Sequence, residues 1–198
     1  MKKTGLYFGS FNPIHIGHLV IAEQLVENTD LDELWFVVSP QNPLKKRSSL
    51  LDDRQRLHLV NLAIDDDPRF RACDIEFSLK KPSYTSFTLQ VLREKYPRRK
   101  FCLIMGEDNL QSFRKWYNYE HIIENYGIYV YPRPGYDGGD LRNHRNVHIV
   151  NAPLMEISST MIREGLRSGK SVRYMLPEKV FQCIEESGFY ANRTVSSH

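Results

Sequence analysis

Two histidines three residues apart stand in the segment Gly9-Ser10-Phe11-Asn12-Pro13-Ile14-His15-Ile16-Gly17-His18. Imidazoles at that spacing share one face of a helix that begins near them, and both can donate to a single phosphate group. Gly9 permits a tight turn with close backbone approach, and Gly17 leaves room for a nucleotide over the turn. A helix start adds unpaired N–H groups and the positive end of its dipole, so the segment reads as a phosphate cradle. Two histidines with no cysteine or carboxylate at matching spacing make a poor zinc site, and no metal site built from side chains is expected.

A second donor-rich segment, Ile157-Ser158-Ser159-Thr160-Met161-Ile162-Arg163, opens another helix. One serine there would read as an ordinary N-cap. A run of hydroxyls with fresh backbone N–H groups and an arginine one turn in makes a second anion cradle. Two cradles in one short chain point to a triphosphate.

The elements that must hold these segments follow from hydrophobic spacing. Leu6 to Phe8, Leu34 to Val38, Phe70 to Phe77, Phe101 to Met105, Gly127 to Tyr131 and Val147 to Val150 read as strands. Between them run helical stripes: Leu19 to Val26; Leu57 to Ile64 behind an Asp52 or Asp53 cap; Leu89 to Tyr96; and the regions of Leu110 and Ile122-Ile123. Ile162 and Leu166 mark a helix closed by Gly169, and the last helix has Pro177 at its first position and Gly188 as its stop. Pro132 to Asn146 reads as a loop. This alternation implies an α/β fold, a Rossmann-like, doubly wound and mostly parallel sheet with helices on both faces. Ligands of such sheets sit beyond the carboxyl ends of the strands, where both cradles fall.

The 198 residues, 41% hydrophobic, suit one domain over 1–190 with 191–198 as a flexible tail. Against 27 basic side chains stand 24 acidic ones, a net charge of +3, so the chain is not a nucleic-acid-binding polycation. Cys73, Cys102 and Cys183 form no metal-binding spacing and suit free thiols in a reducing cytosol. The first apolar run is too short for a signal peptide or membrane span, so a cytoplasmic protein without membrane partners is expected. One sequence leaves assembly into a homo-oligomer open.

The string GSFNPIHIGH resembles the signature loop of the nucleotidyltransferase superfamily, with HxGH at its end, and ISSTMIR resembles that superfamily's ISSTxIR motif, which holds ATP phosphates. The family more often has Asp at the position of Asn12; Asn keeps a hydrogen-bonding side chain and loses the charge. His15-Ile16-Gly17-His18 also matches the class I aminoacyl-tRNA synthetases, but a KMSKS-like loop and a tRNA-binding portion are missing. Phosphopantetheine adenylyltransferases and glycerol-phosphate cytidylyltransferases share the first loop and are typically shorter. Lys81-Pro82-Ser83-Tyr84-Thr85 with Thr88-Leu89, Gly106-Glu107-Asp108-Asn109-Leu110, Trp116-Tyr117 with Tyr119-Glu120, and Arg133-Pro134-Gly135-Tyr136 are similar to segments of bacterial nicotinate-nucleotide adenylyltransferases. With Leu176-Pro177 and Val180 the resemblance spans about residues 5 to 190.

That resemblance implies transfer of AMP from Mg·ATP to nicotinate mononucleotide, with Mg²⁺ carried on the ATP phosphates. Catalytic roles then fall to His15, His18, Lys45 and Arg163, and ATP binding to Gly9, Ser10, Phe11, Gly17, Ser158, Ser159 and Thr160. The run Lys45-Lys46-Arg47 reads first as a solvated loop, with Lys45 or Lys46 the source of extra charge. For nicotinate mononucleotide the candidates are Thr85, Gly106, Asp108, Trp116, Tyr117 and Arg133. Trp116 would offer an aromatic face, Thr85 and the Tyr117 backbone donors for the carboxylate, and Arg133 charge for the acceptor phosphate. In the family the position of Asp108 binds a ribose hydroxyl. Singly, Trp116 would read as core and Asp108 as a helix cap. The alternatives are a sister transferase that prefers nicotinamide mononucleotide or another acceptor, and a non-catalytic nucleotide-binding regulator.

Overall fold

The computed structural model describes residues 1–40, 50–81 and 83–191. Lys45 and Lys46, Pro82 and positions 192–198 of the expected tail lie outside the described residues. Six strands form one sheet: β1 (Lys2–Gly9), β2 (Glu33–Val38), β3 (Phe70–Cys73), β4 (Arg99–Gly106), β5 (Gly127–Tyr131) and β6 (Val147–Ile149). Their order is β3-β2-β1-β4-β5-β6 and every pairing is parallel, the arrangement of a doubly wound nucleotide-binding sheet whose order reverses beside β1.

The helices are α1 (Ile16–Asn28), α2 (Asp53–Ile64), α3 (Thr85–Lys95), α4 (Glu107–Gln111), α5 (Tyr119–Asn125), α6 (Ser159–Arg167) and α7 (Glu178–Ser187). Strand side chains alternate between faces, which divides the core in two. On one face Tyr7, Phe36 and Ile104 pack with Ile21 and Leu25 of α1, Leu59 of α2, Ile162 of α6 and Val180 of α7. On the other Leu6, Trp35 and Leu103 pack with Leu89 of α3, Leu110 of α4 and Ile122 of α5. Every residue of β2 is buried, as expected of a strand covered on both sides.

Two expectations need correction. The third strand stops at Cys73, and Ile75–Ser78 forms a 3₁₀ turn. The turn buries Glu76, whose carboxylate takes a hydrogen bond of 2.8 Å from the Thr88 hydroxyl of α3 and so has the partner that a buried carboxylate requires. Pro177 is the N-cap of α7, with extended ψ, one residue before the first helical position.

Arg56 of α2 is fully buried. Its Nε donates to Leu51 O at 3.0 Å, Nη1 to Ser10 O and to Ser39 O (3.0 Å for the latter), and Nη2 to Pro40 O at 3.4 Å. Nη2 also meets Asp53 Oδ1 at 2.6 Å. One side chain thus closes the backbone of the loops that leave β1 and β2. Arg56→Met would leave these carbonyls buried without a donor. The expected loss is about 3–5 kcal/mol of unfolding free energy in urea. The exposed Arg173–Glu178 pair is the control, and Arg173→Met should change it by about 0.5 kcal/mol or less.

Candidate active site

A cleft of about 300 Å³ opens at the carboxyl ends of β1, β4 and β5, at the low end for small-molecule sites. Gly9, Ser10, Phe11, His15, Gly17, His18, Asp108, Arg133, Ser158, Ser159, Thr160 and Arg163 all border it. The two cradles read from sequence therefore face one another across a single space.

His15 is the N-cap of α1 and His18 stands one turn in. Their rings stack at a centroid distance of 3.7 Å. The His15 backbone N–H donates to His18 Nδ1 at 3.2 Å, so that nitrogen is unprotonated and the proton sits on Nε2. His15 is 5% exposed, and burial, with Arg133 adding to it, lowers its pKa to about 4. It is a neutral imidazole at pH 7, and its Nδ1 has no hydrogen-bond partner among the described residues. Gly17 makes this packing possible, because a Cβ there would stand 3.0 Å from His15 Nδ1.

Across the cleft Ser158 caps α6, its Oγ accepting from Met161 N at 3.2 Å. Ser159 Oγ donates to Pro13 O at 2.9 Å and Arg163 Nη1 to Asn12 O at 2.8 Å. Arg163 Nη2 reaches Thr160 Oγ1 at 3.2 Å, while Nε is buried without a partner. Burial pulls the guanidinium below the usual arginine range, and no carboxylate pairs with it among the described residues. A desolvated cation beside a helix start is a site for an anion. Phe11, with φ of 44°, places its ring in the core edge-on to His18 at 5.1 Å, so the side chain supports the histidine from below.

A family model described as cytidylyltransferase-like matches residues 6–165. A protein of Flavobacterium psychrophilum described as a probable nicotinate-nucleotide adenylyltransferase is 56% identical over 190 residues, covering 95% of this chain and 98% of its own. The chain belongs to that branch of the cytidylyltransferase-like family. A Bacteroides fragilis relative of the same description is 50% identical over 92% of the chain and 90% of its own length. Among solved structures, the nicotinic acid mononucleotide adenylyltransferase of Plasmodium falciparum complexed with NaAD superimposes with a TM-score of 0.82 at 19% identity, over 96% of this chain and 98% of that one. This last likeness is one of fold. No helix among the described residues is long and apolar enough to cross a membrane.

The residues expected on the acceptor side divide into two groups. Gly106, the last residue of β4, lets Asp108 and Arg133 converge: a Cβ on it would stand 2.4 Å from Asp108 Oδ1 and 2.6 Å from Arg133 Cγ. Arg133 Nε is 3.6 Å from that carboxylate oxygen. Thr85, Trp116 and Tyr117 do not border the cleft. Thr85 begins α3, Trp116 packs on Phe113 at 5.1 Å, and the exposed Tyr117 ring lies 5.0 Å from Tyr84 and 5.4 Å from Phe87.

Sequence reasoning missed Glu107, whose buried carboxylate accepts from the Arg133 backbone N–H at 3.2 Å and from Arg142 at 2.5 Å. It thereby anchors the loop after β5. Arg56 and Tyr190 were missed as well, and no local pattern announces any of the three.

Two outcomes test this geometry. Unfolded, an imidazole takes its proton near pH 6.5; folded, His15 takes it near pH 4. The unfolded chain binds the extra proton between those values, so stability from this group is full above pH 6.5 and is lost as pH falls toward 4. The His15 ring signals in an NMR titration should hold their neutral positions at pH 5.5, and movement with a midpoint near 6.5 would refute the buried neutral ring. Gly106→Ala should cut kcat/KM by roughly 10- to 100-fold through displaced Asp108 and Arg133 while the protein still melts cooperatively.

Proposed function

We propose that the chain transfers the AMP part of ATP to the phosphate of nicotinate mononucleotide, giving nicotinate adenine dinucleotide and pyrophosphate. The observation that carries this reading is the pair of opposed anion cradles at the sheet's switch point, one holding stacked His15 and His18, the other Ser158 to Arg163. Full-length relatives named for this activity support it.

In the reaction an oxygen of the acceptor phosphate attacks the α-phosphorus of ATP. The new O–P bond forms as the bond to the β-phosphate oxygen breaks, and that electron pair leaves with pyrophosphate. The attacking phosphate is already ionised at neutral pH, so no general base is needed, and catalysis consists of alignment and charge stabilisation. His18 Nε2–H donates to the α-phosphate, with His15 stacked beneath its ring. Arg163, Thr160 and the N-terminus of α6 take the β- and γ-phosphates. Arg133, braced by Asp108 and Glu107, takes the acceptor phosphate. The nicotinate ring and carboxylate are assigned to Thr85, Trp116 and Tyr117 on the family resemblance alone, since none of the three borders the cleft.

ATP would enter in its divalent-metal form, with Mg²⁺ as the ion: apart from the Asp108 carboxylate, the polar side chains that line the cleft suit phosphate oxygens better than a cation, so the ATP phosphates and water would be its main ligands. The ion would supply neutralisation of part of the triphosphate charge.

Purified protein supplied with Mg·ATP should release pyrophosphate with nicotinate mononucleotide at least tenfold faster than with nicotinamide mononucleotide at equal low concentration. Equal use of the amide would remove the carboxylate role of Thr85 and Tyr117. Inertness toward both would remove the reading. His18→Ala should lower kcat by a factor on the order of 10² to 10⁴, and an unchanged kcat would remove its assigned role.

A further inference from the structure

Gly188 closes α7 in the left-handed conformation, with Phe189 N–H returning to Ile184 O at 3.1 Å. Two residues later Tyr190 also adopts a left-handed backbone, with φ of 65°. A bulky residue enters that region only when its surroundings compel it. The turn carries the Tyr190 ring back into the protein, and its hydroxyl donates to Asn12 Oδ1 at 2.8 Å, spanning 178 positions of sequence. Burial raises the phenol's pKa, so it remains a donor throughout the neutral range; Arg163 and Arg56 are the charges that face it.

Asn12 is itself 2% exposed. Its Oδ1 also accepts from Leu51 N at 3.1 Å, and its backbone carbonyl is the acceptor for Arg163 Nη1 at 2.8 Å. The residue sits between Phe11, with φ of 44°, and Pro13, so the loop has little freedom of its own and its remaining rotation is set by what grips the carboxamide.

We propose that Tyr190 is a positioning residue of the ATP half of the site: by holding the Asn12 carboxamide it fixes the carbonyl against which the Arg163 guanidinium is aimed. This rests on the reading of Ser158 to Arg163 as the phosphate clamp. It also gives Asn12 a task that needs an acceptor oxygen and no charge.

Tyr190→Phe removes one hydroxyl and keeps the ring that packs on the core. In steady-state kinetics on the full chain, KM for ATP should rise about fivefold, the worth of one hydrogen bond, while KM for nicotinate mononucleotide stays within twofold. The melting temperature should shift by only a few degrees. Tyr190→Leu should show the same asymmetry with a larger melting shift. An unchanged KM for ATP, or equal rises in both KM values, would overturn the proposal, because a merely structural tyrosine moves both or neither. Calorimetric titration with a non-hydrolysable ATP analogue separates the two readings. If the wild type turns over neither pyridine mononucleotide but Tyr190→Phe weakens the analogue's Kd about fivefold, the acceptor reading fails and the positioning role stands. If the analogue binds both forms equally, the positioning role fails.

Discussion

The path of the chain from Gly9 to His15 decides where the first cradle stands, and that path depends on buried carbonyls finding donors. Backbone polar groups removed from water must be paired. Here the donors come from far along the chain: Arg56 of α2 takes Ser10 O, Arg163 of α6 takes Asn12 O, and Ser159 of α6 takes Pro13 O. The loop is thus held by side chains of the helices that flank the cleft. Arg163 ties the loop and, in the proposed reaction, is also the cation offered to a phosphate, so positioning and binding would not be separable at that residue.

The electrostatics follow from the same closeness. Two imidazoles stacked at 3.7 Å cannot both carry charge without mutual repulsion, and burial keeps His15 neutral. Positive potential in the cleft therefore comes from Arg163 and Arg133 and from the starts of α1 and α6, and the buried His15 ring adds none. In the proposed reaction a neutral His18 donor would stabilise charge that develops at the α-phosphate without binding the ground-state anion as tightly as an imidazolium would. The division suits a site that must release a dinucleotide and pyrophosphate after each turnover.

What the sequence reveals is what is local. Gly9, Gly17, His15 and His18 are spaced by one turn and one helix start, and Ser158 to Arg163 by another, so both cradles are legible in the sequence alone. The strand order was not stated by any residue, but alternation of strands and helices implied it within narrow limits. Arg56 was invisible because an arginine on an amphipathic helix reads as solvent-facing; its burial arises only when the loops of β1 and β2 meet above it. Glu76 and Glu107 hid for the same reason, being carboxylates whose partners lie in other elements. Tyr190 lay at the edge of a stretch that resembled a frayed end, and its partner is on the first loop.

The two halves of the cleft are assembled in different ways, and this bears on how the fold can be varied. The half with both cradles closes through contacts of the first loop with α6 and with Tyr190 beyond α7, across 146, 151 and 178 positions. Contacts of such sequence separation carry the larger loop-closure cost. Arg133, Glu107 and Asp108 come together across 26 positions or fewer, through β4, α4 and β5. Thr85 starts α3, and Trp116 and Tyr117 lie in the connection between α4 and α5, all in the same middle segment. A change there alters contacts among neighbours, whereas a change in the nucleotide half disturbs bonds that tie the two ends of the chain. Under the proposed assignment, variation in acceptor chemistry would cost least in the middle of this fold, while the half with both cradles is tied to the topology of the sheet itself.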